Sequence, residues 1–199
     1  MKMDKVNLVG YIAIIIIILS LATFGFELTG RVTDTAQVNV TIESTANLQF
    51  TDAVINFSSG RVDVGQASAT LISNHTEATN GNWTWSADEL TLENLGNVNL
   101  TVNLKSDKTA DSLLNGTSPV FQYSVNSSER SSCVQQEGGI TLIAWNDVNV
   151  TGLGTVICNP MGFENHKDLV TIYVKLVVPS DAAIGSRVAT FTATGTAAS

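Results

Sequence analysis

The chain has 199 residues, 44% hydrophobic and 14% charged, which is enough apolar content for one sizeable core and too little charge for a disordered chain. Its formal net charge of -8 repels phosphate backbones, so nucleic acid is excluded as a partner.

The first element is apolar throughout. No charge falls between Lys5 and Glu27, and Ile12 to Leu19 shows no polar face, which argues against an ordinary amphipathic helix. At about 1.5 Å per residue this helical stretch would span roughly 30 Å, the hydrocarbon thickness of a bilayer. Lys2 and Lys5 precede it, so the positive-inside rule keeps the amino terminus in the cytoplasm and sends the remainder outside. Residues 1–30 are therefore expected to be a signal peptide or a signal-anchor, contacting the membrane through residues 8–28 if uncleaved. Ser20-Leu21-Ala22 fits a small-x-small cleavage site, and both fates remain open.

From residue 31 to 199 the period changes to two, as expected for one exported domain. In Val38-Asn39-Val40-Thr41-Ile42 the apolar residues share one face and the polar ones the other. The same alternation recurs at Leu90/Leu92, at Val98/Leu100/Val102/Leu104, at Phe121/Tyr123/Val125 and at Ile172/Val174/Leu176/Val178. Turn-rich stretches separate these runs, among them SNHTEATNGN, KSDKTADSLLNGTSP, CNPMGFENHKD and VPSDAAIGSR. About ten short strands are expected, with a turn or two of helix between Asp107 and Leu114. Half-buried strands without alternating helices predict an all-β fold, an antiparallel sandwich preceded by one hydrophobic helix.

Asparagine is placed in a repeated way. Asn-x-Ser/Thr begins at Asn39, Asn56, Asn74, Asn82, Asn99, Asn115, Asn126 and Asn149, with no central proline. Chance placement of the chain's own Asn, Ser and Thr would give about 3.5 such triplets. Positions i and i+2 of a strand share a face, so Asn39/Thr41, Asn99/Thr101 and Asn149/Thr151 are expected outside, with Val40, Leu100 and Val150 buried. Exported, these amides are candidate glycosylation acceptors; the alternative is an Asn/Thr-rich solvated sheet without sugar.

Cys133 and Cys158 form an even pair in an exported chain, and a disulfide is the expected pairing. The two histidines, His75 and His166, lack metal-ligand spacing, and neither a nucleophile elbow, a phosphate-cradling glycine loop nor a zinc-protease helix motif occurs. No catalytic residue, resident metal or cofactor is expected. Asp107 and Asp111 lie close together, but DKTAD lacks the ordered ligand repeat of a calcium loop. Trp83 and Trp85 in W-T-W could form a platform for sugars; if Asn82 and Thr84 face outward on a strand, both indoles turn to the core instead.

The segment L90-T-L-E-N-L-G-N-V-N-L-T-V-N-L104, with V170-T-I-Y-V-K-L-V-V-P-S-D-A-A-I-G-S-R-V-A-T-F-T-A193 far downstream, resembles the immunoglobulin-like modules of archaeal and bacterial surface proteins, of the CARDB kind. The resemblance implies an immunoglobulin-like or jelly-roll sandwich at the cell surface, with the turn from Pro179 to Gly185 making the final hairpin connection, and it carries no catalytic residue. An apolar amino-terminal segment followed by an exported sandwich is also similar to TasA-like and archaeal pilus subunits, which polymerise by donating a strand. Here R31-V-T-D-T-A-Q-V-N-V-T-I-E43 occupies the donor position and alternates as an inserted strand must. The aromatic-rich motif of TasA is missing, and residues 31–43 could equally be the first strand of the chain's own sandwich. Two functions are therefore expected: a self-associating, glycosylated envelope or filament subunit, or a membrane-anchored adhesion or carbohydrate-binding module that meets other surface proteins.

Overall fold

The computed structural model describes residues 37, 40–134 and 139–198. Glu43–Ser199 forms one compact unit, and Met1–Ile42 falls outside it. The apolar segment at residues 6–26 and the acceptor Asn39 lie outside the described residues. Among the described residues, no helix is long and apolar enough to cross a membrane.

The domain is all-β: the described residues form nine strands in two antiparallel sheets and one short helix. The six-stranded sheet contains β1 (Leu48–Asp52), β2 (Ser68–Ile72), β3 (Leu90–Asn94), β5 (Val120–Asn126), β6 (Asn146–Asp147) and β8 (Leu169–Pro179). The three-stranded sheet contains β4 (Leu100–Ser106), β7 (Thr155–Met161) and β9 (Phe191–Ala197), in the order β7-β4-β9. Strand β8 is the hub of the larger sheet. One of its edges pairs with β5 from Thr171 to Val177, and the other is shared between β3, at Leu169–Ile172, and β2, at Lys175–Pro179.

Alternation chose the buried faces. Leu90, Leu92, Tyr123, Val125, Val170 and Ile172 of the larger sheet meet Leu100, Val102, Leu104, Ile157, Cys158 and Met161 of the smaller one in a single core. Burying an aliphatic side chain of this size contributes about 1.5–3 kcal/mol, so this layer is the main source of stability. The disulfide between Cys133 and Cys158, with Cα atoms 5.2 Å apart, fixes the segment before residue 134 to β7. A satellite cluster packs Trp85, Ala69 and Leu71 with Phe57 and Trp83 under the loops around β2, so the W-T-W indoles belong to the interior. Trp85 also donates from Nε1 to the carbonyl oxygen of Ser73 at 3.3 Å.

The helix α1 (Ala110–Leu114) falls within the stretch expected to be helical. Thr109 caps it: its side chain accepts from the Ser112 amide while the Ser112 hydroxyl accepts from the Thr109 amide, a reciprocal capping box.

Several local expectations are corrected. Residues 40–47 are in no strand, and Val40 and Ile42 are each 80% exposed rather than buried. Asn149 is half-buried and Val150 is 38% exposed, because Thr151 donates its amide and hydroxyl to Asn149 Oδ1, closing a side-chain turn where strand alternation was expected. The stretch opening at Cys158, expected as a turn, carries β7 on to Met161; Pro160 is tolerated because β7 is an edge strand. Finally, β8 and β9 belong to different sheets, so the chain from Ser180 to Thr190 crosses between the layers and makes no hairpin. The Asn99 expectation matches the structure: Asn99 is exposed and Leu100 fully buried.

Candidate functional site

The smaller sheet is too narrow to cover the larger one, and the uncovered part is an apolar groove of about 640 Å³. Its floor is made by Phe121 of β5, Val174 and Leu176 of β8, and Leu113 and Leu114 of α1. One wall is the irregular segment after β1, including Val54, Ile55 and Phe57; the other runs from Ser186 to Phe191 into β9. Val54 and Val188 on these walls are 66% and 74% exposed. Phe191 anchors the corner where groove and core meet, with its ring centroid 5.5 Å from Phe121 and 6.2 Å, edge-on, from Tyr123. Burial among these rings pushes the Tyr123 hydroxyl above its ordinary pKa. Among the described residues, Arg187 is the sole charged side chain on the lining.

Beside the groove lies a sheet edge. Strand β9 pairs with β4 in continuous register from Phe191↔Ser106 to Ala197↔Leu100, and among the described residues no strand pairs with its other side. Hydrogen bonds just beyond both ends, Ala198 N–H to Asn99 O at 2.8 Å and Asp107 N–H to Thr190 O at 3.0 Å, fix which groups face β4. Antiparallel pairing alternates, so even-numbered residues of β9 bond to β4, while Phe191, Ala193, Gly195 and Ala197 turn their amides and carbonyls outward. The side chains of Phe191 and Ala193 point to the core. Small residues follow Phe191 on this inner face, and Leu48 fills the space above Gly195: a Cβ there would stand 3.3 Å from Leu48 Cδ2 and 3.0 Å from Leu100 Cδ1.

The other residues singled out from sequence are dispersed. Asn56, Asn74, Asn82, Asn99 and Asn115 are exposed; Asn126 and Asn149 are half-buried. Asn56 stands on the groove wall, where its Oδ1 accepts the Ser58 amide at 2.8 Å. Asp107 is occupied structurally, its Oδ1 accepting the Thr190 amide at 2.6 Å just before β9. Among the described residues, no group of three or more His, Cys, Asp or Glu side chains is arranged to hold a metal ion. One carboxylate cluster is present: Glu129 accepts the Asp168 amide at 3.0 Å, and burial, then Glu129, raise the Asp168 pKa.

No family model, curated protein or solved structure matches this chain. The site therefore rests on geometry alone. Neither the groove nor the β9 edge was evident in the sequence, because T192-A-T-G-T196 lacks the apolar alternation that marked the other strands.

Proposed function

We infer that the protein is a non-enzymatic structural component of the cell surface, an immunoglobulin-like or jelly-roll sandwich that self-associates into a filament or lattice. The observation that carries this reading is the edge of β9, unpaired among the described residues and lying beside an apolar groove, in a chain whose residues 31–43 alternate in sequence as a strand does. An exposed edge is a template for another strand, and each main-chain hydrogen bond formed there contributes about 1 kcal/mol net. Val40 and Ile42 supply exposed apolar side chains on such a strand. Sugars on Asn74, Asn82 and Asn99 would discourage face-to-face packing and leave edges for assembly, which suits a glycosylated exterior. The alternative, a carbohydrate-binding module, loses its clearest platform because Trp85 is 8% exposed.

Sedimentation and electron microscopy of the full-length chain carrying Val40→Asp and Ile42→Asp test the reading. Loss of assembly with an unchanged melting temperature supports it. Assembly identical to the unsubstituted chain would sink it, and a fall in melting temperature would assign residues 40–42 to their own domain.

A further inference from the structure

Resting on the self-association reading above, we propose that β9 receives residues 34–42 of a second copy as a parallel strand, with Asp34 beside Arg187, Val38 beside Phe191, Val40 beside Ala193 and Ile42 beside Gly195. Three observations fix this register.

The first is parity. The outward amides and carbonyls of β9 belong to Phe191, Ala193, Gly195 and Ala197, the residues on its inward face. A parallel neighbour bonds such residues through the groups flanking the position alongside, so Ala193 would bond Asn39 C=O and Thr41 N–H. Even-numbered residues of the incoming segment then face the groove. Asn39 and Thr41 share the outer face with Thr192, Thr194 and Thr196, leaving the Asn39 acceptor in water.

The second is size. The inward residues of β9 after Phe191 are alanine and glycine, and the even positions 38, 40 and 42 of the segment are Val, Val and Ile. Branched side chains set beside small ones fill the layer without collision. Leu48, already over Gly195, offers the apolar contact for Ile42.

The third is charge, and it decides direction. Among the described residues the groove lining carries one charged side chain, Arg187, and in the sequence the even positions from Val32 to Ile42 carry one, Asp34. In the parallel register the two meet at the groove end while Val38, Val40 and Ile42 lie along β9. An antiparallel strand with Asp34 at Arg187 would run away from β9 toward Pro179. An antiparallel strand with Val40 at Ala193 would carry Asp34 past Ala197, where the described groove offers no cation.

Disulfide trapping between two full-length copies tests this. Neighbouring strands lie about 4.8 Å apart, within the range of about 4.4–6.8 Å that a disulfide bridges. A copy with Ala36→Cys should cross-link to a copy with Ala189→Cys, the parallel partner, and not to one with Ala197→Cys, the antiparallel partner. Arg187→Asp should weaken association about fivefold, and adding Asp34→Arg to the same chain should restore it. Cross-linking through Ala197→Cys, with assembly intact, overturns the register and leaves self-association standing. Cross-linking only within a single diluted chain carrying Ala36→Cys and Ala189→Cys overturns the second-copy occupant. Failure of the unsubstituted chain to assemble at all removes the underlying reading.

Discussion

Asn94 donates from Nδ2 to the carbonyl oxygen of Gly162 at 2.8 Å, joining the end of β3 in the larger sheet to the residue that follows β7 in the smaller one. The same amide nitrogen donates to Val98 O at 2.9 Å, and Oδ1 accepts the Gly96 amide at 3.1 Å. With 1% exposure, Asn94 is a polar clasp inside the sandwich, at the turn where the chain changes sheets. Replacing it by leucine keeps the branched heavy-atom skeleton but removes every polar atom, which strands three backbone groups, each deprived of its side-chain partner. Asn94→Leu is expected to cost about 2–3 kcal/mol, measured as a lower midpoint in urea unfolding. An unchanged midpoint would mean that water or a local shift satisfies those groups.

The Cys133–Cys158 bridge closes a loop with a sequence separation of 25. On the chain-entropy model such a loop contributes about 3 kcal/mol, equivalent for a chain of this size to a melting temperature lower by about 10 °C when the bond is lost. Calorimetry of the Cys133→Ala/Cys158→Ala chain checks the magnitude. Alkylation of the unreduced protein checks the bond itself: labelling of both thiols would refute it.

Ile143 has φ of +66° and is 74% exposed. A β-branched residue in the left-handed region is strained by about 1–2 kcal/mol, and asparagine adopts that region far more readily. Because little of the Ile143 side chain is buried, Ile143→Asn removes the strain without opening a cavity. A rise of about 1 kcal/mol in unfolding free energy is expected, and a fall would show that the exposed isoleucine makes a contact worth more than its strain.

Thr117 holds both oxygens of Asp181, donating its amide to Oδ1 at 2.9 Å and its hydroxyl to Oδ2 at 2.7 Å. The backbone bond first and the hydroxyl second keep this carboxyl below its ordinary pKa of 3.8. A depressed folded pKa means that the contribution is present above the unfolded value and is lost as pH falls through the folded one. Asp181→Asn should therefore lower the melting temperature slightly at neutral pH, and that loss should shrink as the pH is taken down through the depressed folded pKa. An equal loss at neutral and acid pH would assign the effect to packing of the 179–183 turn.

Which residues of β3, β4, β5 and β8 are buried was legible from sequence, because alternation with period two is a property of the local backbone and needs no partner. Leu90, Leu100, Tyr123 and Ile172 could be placed inside on that ground. The same local rule misread Val40 and Val150. It specifies a face only when the segment is a strand, and Thr151 folds back on Asn149 where that condition fails.

The sequence by itself determined the apolar faces of β3, β4, β5 and β8 and the cysteine pair, which follow from side-chain chemistry at short range. Only the tertiary structure decided that β4 leaves β3 for the opposite sheet, that β8 is shared by three neighbours, and that β9 ends the smaller sheet beside an uncovered groove. Those outcomes depend on pairings such as Leu100 with Ala197, nearly a hundred residues apart, which Thr192-Ala193-Thr194-Gly195 does not announce. Alternation selects the face a strand buries; the competition among all strands for backbone partners selects its neighbour and the edge that remains.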